Sequence, residues 1–232
     1  MKLGQRIVAL LLVILWAATS SAEEENARMA RYRTMSIRDL LDEGGKPTGL
    51  WYMGGMPWPL SELGRRNHER VIDEALNVLD GKPKHDFSHA FAVYVLVNLR
   101  PTGLNKLLLD RIEKVDGPGL YEILLHAAQT DDAAFVPIFT EILDRQIDEP
   151  REVDLLAAEY VRHVPRQQFI PGLERLQKLL AKQVRSDDKQ FGRDHSFILD
   201  GFPYSDLVSF SIEQPAAFVA ESIELVRKET QK

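Results

Sequence analysis

Apolar positions along the chain fall at helical rather than strand spacing. Ile72, Ala75, Leu76 and Leu79 sit at i, i+3, i+4 and i+7, the stripe of a helix with one buried side, and Gly81 stands where such a helix stops. Ala90 to Val97 is apolar at eight successive positions, with Asp86 as a cap for a segment running to Leu99. Valine and tyrosine also suit a buried strand, but the length and flanks of this run predict a helix buried on most sides. Upstream, Ser36-Ile37-Arg38-Asp39 reads as a cap followed by an acidic third helical position, opening a short helix that Gly44-Gly45 end. Near the end of the chain, Phe218, Val219, Ile223 and Val226 mark one side of an amphipathic helix from Ala216 to about Lys228.

Prolines punctuate the chain at 83, 101, 118, 137, 150 and 165, at separations of 18, 17, 19, 13 and 15 residues. Proline is tolerated at a helix start or in the turn before it, far less in a helix interior. The beat therefore suits helices of three to four turns joined by short loops. An alternating βα chain needs period-2 segments between the helices, and none is found, so the predicted class is all-α. Lys46 to Leu60 (KPTGLWYMGGMPWPL) keeps neither period and is read as an irregular segment rich in large side chains.

The chain also echoes itself. At an offset of 34, Phe135-Val136-Pro137 recurs as Phe169-Ile170-Pro171, Phe139 lies over Leu173 and Ile142 over Leu176. One step earlier, Leu108-Leu109-Asp110-Arg111 lies under Ile142-Leu143-Asp144-Arg145. At 33, Leu120, Ile123, Leu124 and Ala127 match Val153, Leu156, Ala157 and Tyr160. A period in the mid-thirties is one helical hairpin per unit, as in an α-solenoid.

The best unit, Asp132 to His163, resembles a HEAT repeat. Pro137 lies in its first helix, Asp144 near that helix's end, Asp148-Glu149-Pro150 in the turn, and Val153, Leu156, Ala157 and Ala158 on the second helix. The resemblance covers about residues 103–182. It implies a right-handed stack of antiparallel hairpins, an α-α superhelix, in which Pro137 and Pro171 kink first helices already under way. Asp154 departs from the family pattern, which commonly carries a basic residue there. HEAT repeats are architecture rather than chemistry. The organisation expected is a flexible N-terminus over 23–35, a short helix plus the aromatic segment over 36–60, helical repeats over 61–182, and a C-terminal loop and capping helix over 183–232 of the same domain.

The first 22 residues read as a secretory signal, with Lys2 and Arg6 basic, Ile7 to Ala18 unbroken and apolar over 12 residues, and small residues at Ser20 and Ala22 before Glu23. The run is short for the roughly 20 residues of a spanning helix, which favours cleavage over an uncleaved anchor. No later segment is apolar enough to span a membrane. The expected address is a bacterial periplasm or exterior, and the absence of cysteine excludes disulfides, thiolate metal sites and a lipidated cysteine. With 29 basic against 35 acidic residues the formal charge is −6, which argues against nucleic acid as a partner.

Candidate chemistry is sparse. Trp51, Tyr52, Met53, Met56 and Trp58 are residue types favoured as anchors at protein interfaces, and the same side chains would plug the open end of a helix stack. His85 and His89 are four apart, a metal-binding spacing on one helical face, but no local third ligand follows. Asp194, His195, Asp200 and Tyr204 have the residue types of acid–base work, set in a polar, glycine-interrupted stretch that also reads as a turn-rich cap. Neither a phosphate-cradling glycine loop nor a nucleophile elbow is present. The expected function is an exported, non-catalytic binding or scaffold module that recognises another protein without a cofactor. The alternative is a small periplasmic enzyme or metal-binding protein with its site around Asp194, His195, Asp200 and Tyr204.

Overall fold

A computed structural model describes residues 27, 30–46, 58–183, 215–229 and 231. Among these residues every regular element is helical and there is no strand, so the chain is all-α. Ser36 opens the first labelled helix, α1 (Ile37–Gly44), its Oγ accepting from the Asp39 N–H. Then come α2 (Trp58–Leu63), α3 (His68–Asp80), α4 (Ser88–Leu99), α5 (Leu104–Leu109) and α6 (Gly117–Ala128). The 3₁₀ turn Ala133–Phe135 leads into α7 (Val136–Asp144), and α8 (Glu152–His163) follows. A second 3₁₀ turn, Gln167–Phe169, leads into α9 (Ile170–Gln183), and α10 (Pro215–Glu229) closes the series.

Several local expectations shift by a residue or two. A helical turn at residues 30–34 lies inside the stretch expected to be flexible, and the Arg66 guanidinium donates to the Arg33 carbonyl at 2.8 Å at its end. Helix α2 begins at Trp58, inside the segment read as irregular. In α3 the stripe is centred on Val71, Ala75, Val78 and Leu79, leaving Ile72 and Leu76 half-buried. Asp86 does not cap α4. The helix starts two residues later, and Ser88 Oγ accepts from the His85 N–H at 2.9 Å. The run from Ala90 to Val97 is helical and buried at every position, the continuous apolar stretch of an element surrounded by others.

The layers follow from which helices touch. Helices α4, α6, α8 and α10 pack side by side in that order, while α3 lies on α4, α7 on α8 and α9, and α9 on α10. Helix α1 lies against α2, α3 and α4 at the N-terminal end. The expected C-terminal helix covers α8 and α9 with Val219, Ile223 and Val226 buried, and its buried Ser222 donates to the Ala158 carbonyl at 3.2 Å.

The positions that echo in sequence also match in burial. Phe135, Phe139 and Ile142 are buried as Phe169, Leu173 and Leu176 are, and exposed Pro137 and Glu141 correspond to exposed Pro171 and Arg175. Tyr160 joins the two segments, stacking on Phe139 at 4.3 Å between centroids and meeting Phe169 edge-on at 6.2 Å. Pro137 and Pro171 are second residues of α7 and α9 and follow three residues of 3₁₀ helix. They start the α-helices, where a missing N–H costs nothing, rather than kinking helices already under way.

Candidate functional site

The half-buried positions of neighbouring helices leave a groove. Buried Leu124, Ile142 and Leu156 form its floor, and half-buried Leu120, Ile138 and Leu155 its walls, enclosing about 730 Å³ between α6, α7 and α8. Pro215, at the start of α10, reaches its edge. The walls are apolar because each side chain lies at the margin of its helix stripe, where it covers the core on one side and faces the gap on the other. That surface is paid for in hydration, and an apolar ligand group covering it contributes about 25 cal/mol per Å² removed from water.

The rim is charged. Glu113, Glu141 and Glu152 stand around it, and none of them makes an ion pair with a described residue. Arg145 and Arg151 occupy the end nearest the α7–α8 turn, and their charge acts on buried Asp154 behind them. Asp154 sits at the third position of α8 and accepts the Arg151 N–H at 2.8 Å through Oδ2. Its other oxygen is buried without a partner, and burial holds the carboxyl above its ordinary range despite the two arginines. Asp154 thereby caps the start of its own helix.

Behind the rim lies a polar set that the sequence reading missed. Burial raises the phenols of Tyr94 on α4 and Tyr121 on α6, with the charge of Glu152 adding to the shift of Tyr121 and that of Glu122 on α6 to both. The Tyr121 hydroxyl also bonds Glu152 on α8. Glu122 itself makes no hydrogen bond or ion pair with a described residue, and its desolvated carboxyl is pushed up to about 8. The missed signal was a charged residue inside Gly117 to Ala128, a helix otherwise rich in apolar side chains.

A second polar chain serves the fold. His126 Nε2 meets Asn105 Oδ1 at 2.9 Å, Asn105 Nδ2 donates to Asp132 Oδ2 at 2.9 Å, and Tyr160 Oη donates to the Asp132 carbonyl at 2.7 Å. Burial and then the Arg100 charge lower the His126 pKa, so this imidazole stays neutral at pH 7.

His89 serves the fold too. His89 is 1% exposed, its Nδ1 accepts the Asp116 N–H at 3.0 Å, and Nε2 lies 3.1 Å from the Gly81 carbonyl. An Nδ1 that accepts leaves the proton on Nε2, so both ring nitrogens are engaged in joining α4 to the turns before α4 and α6. His85 lies in the turn before α4, not on a shared helical face. Among the described residues no three histidine or carboxylate groups converge for a metal.

Trp51, Tyr52, Met53 and Met56, with the Trp58 side chain, lie outside the described residues, as do Asp194, His195, Asp200 and Tyr204 and the segment over 1–22. No described helix is long and apolar enough to cross a membrane. The chain matches no protein-family model, no curated protein and no solved structure.

Proposed function

We propose that this chain is an exported, non-catalytic module that binds another protein through the groove between α6, α7 and α8. Its scaffold, on this reading, is a HEAT-like right-handed stack of helical hairpins. The observation that carries the reading is the groove, whose three half-buried aliphatic walls an inserted partner side chain would cover. Support for the scaffold comes from the side-by-side order α4, α6, α8, α10 and the matched burial around Phe135 and Phe169. Support for export comes from the basic, apolar and small-residue sequence over 1–22.

The test places a photoreactive amino acid at Leu155 in the groove and, as a control, at exposed Lys178 on α9. The full chain is then cross-linked in its native cell. The expected result is one discrete partner adduct from position 155, absent from position 178 and lost when Ile138→Glu is added. Adducts that are the same from both positions, or unaffected by Ile138→Glu, refute the groove as the binding site. Mass spectrometry of the exported form, with Glu23 as its first residue, checks the address.

A further inference from the structure

The groove's rim carries both signs, Glu113, Glu141 and Glu152 with Arg145 and Arg151, so charge singles out no occupant. The path of the chain does. Pro215, the first residue of α10, lines the groove. Helices α9 and α10 pack on each other, and the Arg227 guanidinium, near the end of α10, donates to Glu174, near the start of α9, at 2.9 Å. The pair is therefore antiparallel, with Gln183 and Pro215 at the same end of it. A turn of roughly 2–8 residues suffices to join such a pair. The chain instead has residues 184–214 between the two helices, and this excess length ends at the groove's edge.

The last part of that length has the composition of an occupant. In Leu207-Val208-Ser209-Phe210-Ser211-Ile212, Val208, Phe210 and Ile212 alternate with serines, so an extended backbone would carry these three apolar side chains on one side. Ile212 precedes Pro215 by three residues and Phe210 by five. Their Cα atoms therefore lie within about 11 Å and about 18 Å of Pro215. A segment tethered this closely competes for the groove at an effective concentration on the order of millimolar.

We propose that the resident occupant of the groove is the chain's own segment 207–214, with Val208, Phe210 and Ile212 on the Leu124–Ile142–Leu156 floor. The inference rests on the groove as the binding surface and adds its regulation. A partner protein binds by displacing the segment, and its apparent affinity is reduced to the fraction of chains whose groove is free.

The experiment uses the purified full chain with a photoreactive amino acid at Leu155. Peptide mass spectrometry is expected to find an internal cross-link to residues 207–214, absent when the photoreactive group is at Lys178. The same group at Phe210 should mark α6, α7 or α8 in return. Phe210→Ser combined with Ile212→Ser should free the groove. A fluorescein-labelled peptide of residues 205–214 should then bind that variant about tenfold more tightly than the parent chain, and adding Ile138→Glu should remove the binding. In the native cell, the partner adduct from position 155 should rise severalfold in the same variant.

No internal link from position 155, a link only to other parts of the chain, or equal peptide affinity for parent and variant overturns the inference. So does a dimer in sedimentation that Ile138→Glu dissolves, which would make a second copy the occupant, or an adduct yield in the cell that the variant leaves unchanged. The two readings fail separately. A partner adduct with no internal link keeps the groove as a partner site and overturns the resident segment. An internal link to 207–214 with no partner adduct from parent or variant keeps the segment as occupant and refutes the partner site.

Discussion

Tyr160 shows what one hydroxyl does in this fold. The ring stacks on Phe139 and meets Phe169, and the Oη donates to the Asp132 carbonyl at 2.7 Å. Tyr160→Phe keeps the stacking and removes only that bond, leaving a carbonyl short of its donor at a cost of about 1–3 kcal/mol. Urea unfolding should show this as a lower midpoint with an unchanged slope, and an unchanged midpoint would mean that water replaces the phenol. Glu122 makes the complementary case, a charge that the fold disfavours. Its carboxyl titrates near 4.5 unfolded and near 8 folded, so the folded chain holds a proton that the unfolded chain has lost. Stability is therefore complete below pH 4.5 and declines as pH rises toward 8. The phenols of Tyr94 and Tyr121, both raised, stay neutral across that window, and His126, lowered, is neutral over its upper part. Glu122→Gln should flatten the decline, so urea midpoints measured at pH 5 and pH 8 should converge in the variant and differ in the parent chain.

Between elements, close approach sets the spacing. A Cβ added at Gly119 on α6 would lie 2.6 Å from His89 Cβ on α4, a distance that real carbons do not share. Gly119→Ala gains up to about 1 kcal/mol in helix propensity but forces the two helices apart, an overpacking cost of about 1–3 kcal/mol. A net fall in thermal midpoint is expected, and a rise would show that α4 and α6 slide apart freely. Much of this was legible in the chain. The caps at Ser36 and Gly45 follow from residue type, and the all-round burial of Ala90 to Val97 and the buried side of α10 from apolar patterning, which reports burial directly. Less legible were features that depend on the neighbouring helix. Gly119 reads as a weak helix residue until His89 is seen against it, and Ile72 reads as core until the packing of α3 turns it toward the margin. The groove was hidden for the same reason: Leu120 belongs to the echo as a core position, and only the gap beside α7 and α8 gives it a second face.

At the scale of the whole molecule, the order of contacts governs how a local defect spreads. Helix α10 touches α8 and α9, α8 touches α6, and α6 touches α4, so among the described residues the main contacts pass along the layer from one helix to the next. The stacked-hairpin scaffold proposed above predicts stability close to a sum of each unit and its nearest-neighbour interfaces. Val219 is fully buried where α10 covers the stack. Val219→Asp places an unpaired carboxylate there and should detach α10, uncovering apolar surface of α8 and α9 and raising binding of an apolar dye. Hydrogen exchange then decides how far the damage travels. Amides of α8 and α9 should lose protection while those of α3 and α4 keep it, because two further helices separate them from the defect. Equal loss of protection in α3 and α9 would mean that the molecule unfolds as one cooperative unit, and the stacked-hairpin description of its energetics would be wrong.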